Sequence, residues 1–352
     1  MNHASPASPE TTELAPGYVV SRLIKGGWQL AGGHGAIDRA AAIADMGAYL
    51  DAGITTFDCA DIYTGVEELI GAFRDSLPRD GAAHGRLRVH TKFVPDLDLL
   101  GRLDRADVRS LIDRSAQRLR TDRIDLVQFH WWDYAIPRFV EVGQWLAELQ
   151  REGRITLLGG TNFDAAHAAA LFDAGVRLHT MQVQYSVLDS RPEGALAALC
   201  ARTGMRLLCY GTLAGGFLGE PWLGRPDPGM ALENRSLVKY KLIIDDSGGW
   251  DLFQAILTVL ARIAQRHGTD IATIAARYVL DQPHVAGVIV GVRNRAHLDR
   301  HRGVTALRLT GQDRAELTAI LARRNPLGGE VYELERDRNG RHGRIMKYDL
   351  GK

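Results

Sequence analysis

Eight short apolar runs, each followed by a stretch of helical sequence, limit the folds open to this chain of 352 residues. The runs cover 19–25, 54–58, 87–92, 124–130, 155–159, 178–184, 205–210 and 286–290. Helical spacing predicts helices over 38–52, 66–77, 104–119, 137–153, 164–174, 192–203, 251–267, 271–281 and 295–302. Gly53 suits the position after the first helix, and Asp164 suits an N-cap. Strands alternating with helices of this length predict parallel βαβ units. Eight of them predict a (β/α)8 TIM barrel, a fold of about 250 residues or more. A doubly wound sheet is the competing architecture, but Gly26-Gly27 and Gly32-Gly33 do not fit its G-x-G-x-x-G turn. The barrel is placed at 17–324. Residues 1–16, polar and rich in Pro and Ser, are expected to be disordered. Residues 211–249, rich in Gly, Pro and charge, read as a long loop after strand seven, where Lys239 and Lys241 suit a solvated basic face. Residues 325–352 form an extension expected to pack near the barrel mouth as two extended arms joined by a turn at Asn339-Gly340.

The runs end in polar and aromatic residues. The second ends in Asp58, with Tyr63 five residues on; the third ends in Lys92, the fourth in His130-Trp131-Trp132. The first ends in Gly27-Trp28, the fifth in Thr161-Asn162, the sixth in Gln182 and Gln184, the seventh in Tyr210-Gly211, the eighth in Gly291 and Arg293. In a barrel these ends share one mouth, where such enzymes carry their chemistry. A net charge of +1 gives no reason to expect nucleic acid or a membrane surface as partner. No apolar run reaches the roughly 18 residues of a membrane span. Cys59, Cys200 and Cys209 form no CxxC pair, which fits reduced thiols and a cytoplasmic setting. His167, His179 and His284 have no metal-ligand spacing, and no metal is expected.

The ordered motifs resemble the aldo-keto reductases, NAD(P)H-dependent oxidoreductases on the (β/α)8 barrel. They are Gly26-Gly27-Trp28, Phe57–Tyr63, Thr91-Lys92, Phe129-His130, Gly153-Arg154-Ile155 with Gly159–Phe163, Gln182–Tyr185 and Tyr210–Gly216. The resemblance runs from about residue 18 to 302. It implies interconversion of a carbonyl (aldehyde, ketone or sugar) and an alcohol, with Tyr63 as general acid/base. Lys92 would lower the phenol's pKa, Asp58 would orient Lys92, and His130 would donate a hydrogen bond to the carbonyl oxygen. Thr161, Asn162 and Gln182 would hold the nicotinamide carboxamide, with Tyr210 stacked on the ring. Gly211, Thr212, Leu213 and Gly215 would approach the pyrophosphate, and Gly27, Trp28, Asp58 and Gly291 would lie beside the cofactor. The chain departs from the family's pattern at His297 and His301, where Gln or Arg and then Asn are usual. Arg293 still offers a cation for a 2′-phosphate, which favours NADP(H), with NAD(H) as the alternative. Trp28, Tyr63, His130, Trp131 and Trp132 would contact a small-molecule substrate.

Each residue alone has a plainer reading. Asp58 and Lys92 suit a structural ion pair across the barrel mouth, and His130, Tyr210 and the tryptophans suit a core. Two other functions remain open: a barrel lyase or aldolase using Lys92 as a Schiff base, and a cofactor-bound regulatory subunit with little turnover. The chain is expected to be a monomer or small homo-oligomer.

Overall fold

In the computed structural model, residues 9–31, 36–78 and 80–348 are described. The chain begins with an antiparallel hairpin, β1 (Thr11–Ala15) and β2 (Tyr18–Ser21). Eight strands follow: β3 (Leu23–Gly26), β4 (Thr56–Asp58), β5 (Arg88–Phe93), β6 (Ile124–Phe129), β7 (Ile155–Thr161), β8 (Thr180–Gln184), β9 (Arg206–Tyr210) and β10 (Val285–Gly291). They close in sequence order into a parallel barrel, β10 pairing β3. Nearly every residue in them is buried, because helices cover one face and the barrel interior the other.

The helices are α1 (Arg39–Asp51), α2 (Val66–Ser76), α3 (Ala82–Arg86), α4 (Arg105–Arg118), α5 (Phe139–Arg151), α6 (Ala165–Asp173), α7 (Ala195–Thr203), α8 (Arg235–Ser247), α9 (Gly249–His267), α10 (Ile271–Leu280), α11 (Leu298–Ala306), α12 (Gly311–Leu321) and α13 (Glu333–Arg336). Side-chain caps start many of them. Asp104 and Asp107 form a capping box on α4, and Asp164 accepts from the His167 N–H at the start of α6. Gly53 follows α1 in the left-handed region at φ 85°, as its place in the sequence predicts.

The fold corrects four expectations. Thr11–Ala15, within the segment expected to be disordered, is a strand: Leu14, Tyr18 and Val20 close the lower end of the barrel against Ile24, Leu126, Leu157 and Leu208. The apolar run 19–25 is therefore two strands. Ser21 still pairs Thr11, whereas Leu23 pairs Val288, so the chain changes partners at Arg22. The Arg22 guanidinium holds that corner by donating to the carbonyls of Leu280 (2.6 Å) and Val285 (3.0 Å).

Residues 211–249 contain α8, capped by Asn234, and with α9, α10 and α12 it buries a second apolar cluster around Phe217 and Phe253. The tail is not a pair of extended arms. It holds α13 and a 3-10 turn at Gly343–Ile345, while Asn339-Gly340 does turn, through the Gly340 N–H to Asp337 carbonyl bond of 2.9 Å.

Candidate active site

Asp58, at the end of β4, is the hub of the mouth. Its Oδ2 accepts from Lys92 Nζ at 2.7 Å, and its Oδ1 accepts from Gln128 at 3.1 Å and Gln182 at 2.6 Å. Strand register brings these donors together, with Lys92 directly opposite Gln128 on the neighbouring strand. Both Asp58 oxygens are thus satisfied by donors, which a buried carboxylate requires. Lys92 also donates to the Cys59 carbonyl at 2.8 Å, and its ammonium stands 5.0 Å from the centre of the Tyr63 ring. Burial alone would lower the Lys92 ammonium, but Asp58 and Tyr63 carry it above its ordinary value. The amine is held as a cation, the wrong state for the Schiff-base nucleophile considered above.

Tyr63 is half-buried, with the ring of Trp28 edge-on at 5.0 Å. Burial raises its hydroxyl above the ordinary phenol value; Lys92 opposes that rise. Lys92 acts in the expected direction, then, but desolvation outweighs it.

His130 sits at the end of β6, its Nδ1 3.1 Å from the Thr161 carbonyl. A carbonyl only accepts, so Nδ1 carries the proton. Burial first and Arg336 next push the imidazole down to about 3, so the ring is neutral. Nε2 is buried without a protein partner. The ring stands edge-to-face with Trp132 at 4.2 Å and Tyr332 at 5.7 Å.

The remaining predicted positions divide. Thr161 and Asn162 end β7. Asn162 is left-handed at φ 62°, and its Oδ1 accepts from the Tyr210 hydroxyl at 3.0 Å. The Thr212 hydroxyl is buried without a protein partner, and Leu213 packs at the junction of the two apolar clusters. Gly211 and Gly215 are both left-handed, and a Cβ there would lie 2.6 and 2.8 Å from Tyr240; the close approach they permit here is that of α8. Gly27 donates its N–H to the Asp58 carbonyl at 2.8 Å, and Gly291 packs under Gln29. Arg293 and His297 are exposed after β10.

Two positions are not where they were expected. His301 is turned inward, 2.8 Å from the Tyr49 hydroxyl, because α11 packs that face on the barrel wall. Trp131 is fully buried against Phe129, its indole N–H donating to the Ile136 carbonyl at 3.0 Å, so only Trp28 and Trp132 stand at the mouth.

Sequence reasoning missed Gln128, although a glutamine two residues before His130 in an apolar strand must share the inward face. It placed the tail near the mouth without assigning the groups that cover it. Tyr332, Glu335 and Arg336 of the tail and Lys239 and Tyr240 of α8 cover the mouth. Glu335 pairs Arg191 (3.1 Å) and Lys239 (3.7 Å), and the Lys239 ammonium stands 5.3 Å from the Tyr210 ring centre. Lys241 likewise is buried, pairing Asp227 and Asp245. Neither lysine belongs to a solvated face. Among the described residues no cluster of His, Cys, Asp or Glu suits a metal ion, and no helix is long and apolar enough to cross a membrane.

Comparison with known proteins agrees with this geometry. Aldo-keto reductase YhdN of Bacillus subtilis is 28% identical over 331 residues, covering 91% of this chain and 97% of its own. NADH-specific methylglyoxal reductase of Escherichia coli is 27% identical over 294 residues, 77% of this chain and 86% of that one. Among solved structures, the glycerol dehydrogenase of Gluconobacter oxydans superposes with a TM-score of 0.73 at 24% identity, covering 89% and 94% of the two chains, a likeness of fold. The aldo/keto reductase family matches residues 22–322. This chain belongs to the aldo/keto reductase family and is an oxidoreductase on a (β/α)8 barrel.

Proposed function

We propose that the protein interconverts a carbonyl and an alcohol using a nicotinamide dinucleotide, with Tyr63 as the proton donor and acceptor. The observation that carries this reading is the Asp58–Lys92–Tyr63 chain of contacts at one barrel mouth, with His130 on the same rim. The residues suit the cofactor in kind. Asn162 and Gln182 present amides, the Thr212 hydroxyl has an unfilled hydrogen bond, and Arg293 and His297 offer exposed nitrogen donors after β10. The dinucleotide supplies hydride to the carbonyl carbon. Tyr63 gives its proton to the carbonyl oxygen, and Lys92 stabilises the phenolate left behind. His130, on the same rim, orients the carbonyl group. Asp58, held by two glutamines, keeps the Lys92 ammonium aimed at Tyr63. The bracing of Asp58 and the cationic state of Lys92 favour this over an aldolase.

Either NADPH or NADH is compatible with this cleft. Arg293 favours a 2′-phosphate, whereas one relative is described as NADH-specific. Trp28 and Trp132 at the rim support an aldehyde, ketone or sugar as substrate. Purified protein with each cofactor and 4-nitrobenzaldehyde tests the proposal. Wild type should oxidise at least one reduced cofactor. Tyr63→Phe should lose at least about a hundredfold in kcat while cofactor binding, read by fluorescence quenching, persists. Unchanged turnover in that variant removes Tyr63 from the chemistry, and a wild type without turnover on any carbonyl favours the regulatory-subunit alternative.

A further inference from the structure

Tyr63 is carried by a turn: β4 ends at Asp58, α2 begins at Val66, and residues 59–65 belong to neither. What holds that turn against β5 starts at Glu67, in the first turn of α2. Its side chain is buried, and around it α2 buries the apolar Val66, Leu69, Ile70 and Phe73. A carboxylate placed there needs partners, and it has two. Oε1 accepts from the Thr91 hydroxyl at 2.6 Å, and Oε2 accepts from Arg118 Nη1 at 3.3 Å. The same Arg118 nitrogen donates to the Asp61 carbonyl at 3.2 Å. Thr91 immediately precedes Lys92 on β5, and Asp61 lies two residues before Tyr63. One carboxylate therefore reaches the strand that carries the ammonium and, through Arg118, the turn that carries the phenol. Further bonds join the same two segments: the Lys92 ammonium donates to the Cys59 carbonyl at 2.8 Å, and Asp61 Oδ2 accepts from the Val94 N–H at 3.0 Å. Arg118 comes from the last turn of α4, is half-buried, and pairs through Nε with Glu68 at 3.1 Å. A Cβ at Gly71, one helical turn after Glu67, would collide with the Arg118 carbonyl, so glycine is what lets α2 lie this close to α4.

We propose that Glu67, acting through Thr91 and Arg118, is a positioning residue for the Tyr63–Lys92 pair: it fixes the turn bearing the phenol against the strand bearing the ammonium. The proposal rests on the reading that Tyr63 exchanges the proton. The Lys92 ammonium stands 5.0 Å from the centre of the Tyr63 ring, and the help a cation gives a phenolate falls with distance. Reacting groups displaced by about 1 Å can lose about a hundredfold in rate. The Glu67 carboxylate bonds Thr91 and Arg118, so it acts on the chemistry through where it holds the chain.

The test uses the full chain. Glu67→Gln and Arg118→Ala should each lower kcat for 4-nitrobenzaldehyde about tenfold or more, while cofactor binding, read by fluorescence quenching, stays as in wild type. Because the two side chains act as one brace, the double variant should lose no more than the worse single variant. Guanidinium chloride at millimolar concentration should restore part of the activity of Arg118→Ala, and sodium chloride at equal ionic strength should not. Independently of turnover, the carbon-13 resonance of Tyr63 Cζ, assigned with Tyr63→Phe, should shift in both single variants. Should Glu67→Gln fail to fold, Arg118→Ala with and without guanidinium still decides. Folded single variants with wild-type kcat and an unmoved Tyr63 resonance overturn the proposal. So do losses that add in the double variant, or a loss in Arg118→Ala that guanidinium leaves untouched. A Tyr63 resonance that moves in a protein reducing no carbonyl would keep the positioning role and remove the functional reading.

Discussion

At the scale of residues, the mouth is a problem in placing charge out of water. Asp58 and Lys92 survive burial because three donors surround the carboxylate and the ammonium donates to both Asp58 and the Cys59 carbonyl, which is the condition for a buried ion pair to be tolerated. Other groups give up their charge. Burial pushes His90 and His130 down to about 3 and His301 down to about 4, all from 6.5. Asp61 goes the other way: burial raises its carboxyl to about 8, although the Val94 N–H opposes that. Unfolding between about pH 4.5 and 6 therefore lets three imidazoles each take up a proton while one carboxyl releases one. The net uptake of two makes the folded state lose stability as pH falls through that window, by about 2 kcal/mol per unit. Urea midpoints measured at pH 4.5, 5.5 and 6.5 check this; a flat profile would mean that these imidazoles are already charged in the native state.

At the scale of elements, the tail and α8 are stitched to the barrel by ions. Arg191 is shared by Asp189 (2.7 Å) and Glu335 (3.1 Å), and Lys239 reaches the other Glu335 oxygen at 3.7 Å. Burial alone would raise the Glu335 carboxyl, but Lys239 and Arg191 hold it at about 2. Tyr348 adds an aromatic contact to Trp132 at 5.4 Å, and His342 bonds Asp246 of α8 at 2.6 Å. Glu335→Gln removes the carboxylate that pairs with Lys239 and leaves only the more distant charge of Asp189, and removing one partner from a buried pair costs about 3–5 kcal/mol. The variant should show a lower urea midpoint at neutral pH and faster proteolysis of the tail. An unchanged midpoint would show that solvent already screens this network.

For the molecule as a whole, the two ends of the barrel are closed by different means. The lower end is capped by the hairpin of β1 and β2, whose Leu14, Tyr18 and Val20 extend the interior apolar column. Glu10 joins it to Arg22, Arg277 and Arg308. The upper end is covered by polar and charged groups of the tail and α8. Deleting residues 1–16 uncovers apolar surface far from the site, at roughly 25 cal/mol for each Å² exposed. The shortened chain should melt at a lower temperature while its KM for the reduced cofactor stays the same. A matching loss of cofactor affinity would show that the two ends are coupled.

The strand order and the four groups Asp58, Tyr63, Lys92 and His130 were legible because local rules govern them. Apolar runs of strand length, helical spacing between them and a polar residue at the end of each run are all properties of neighbouring residues. In a parallel barrel those ends converge whatever the side chains beyond them do. Side-chain direction was not local in this sense. Trp131 and His301 turn inward because of what packs against them, and Gln182 and Gln128 meet Asp58 only once the barrel closes. The tail was least legible of all. Nothing near Glu335 or Arg336 in sequence marks them, since their ionic and carbonyl partners lie far away along the chain and their charges acquire meaning only when water is excluded. Sequence alone determined the barrel and the residues at its rim. Only the tertiary structure decided which of them face the cleft, in what protonation state, and what closes over them.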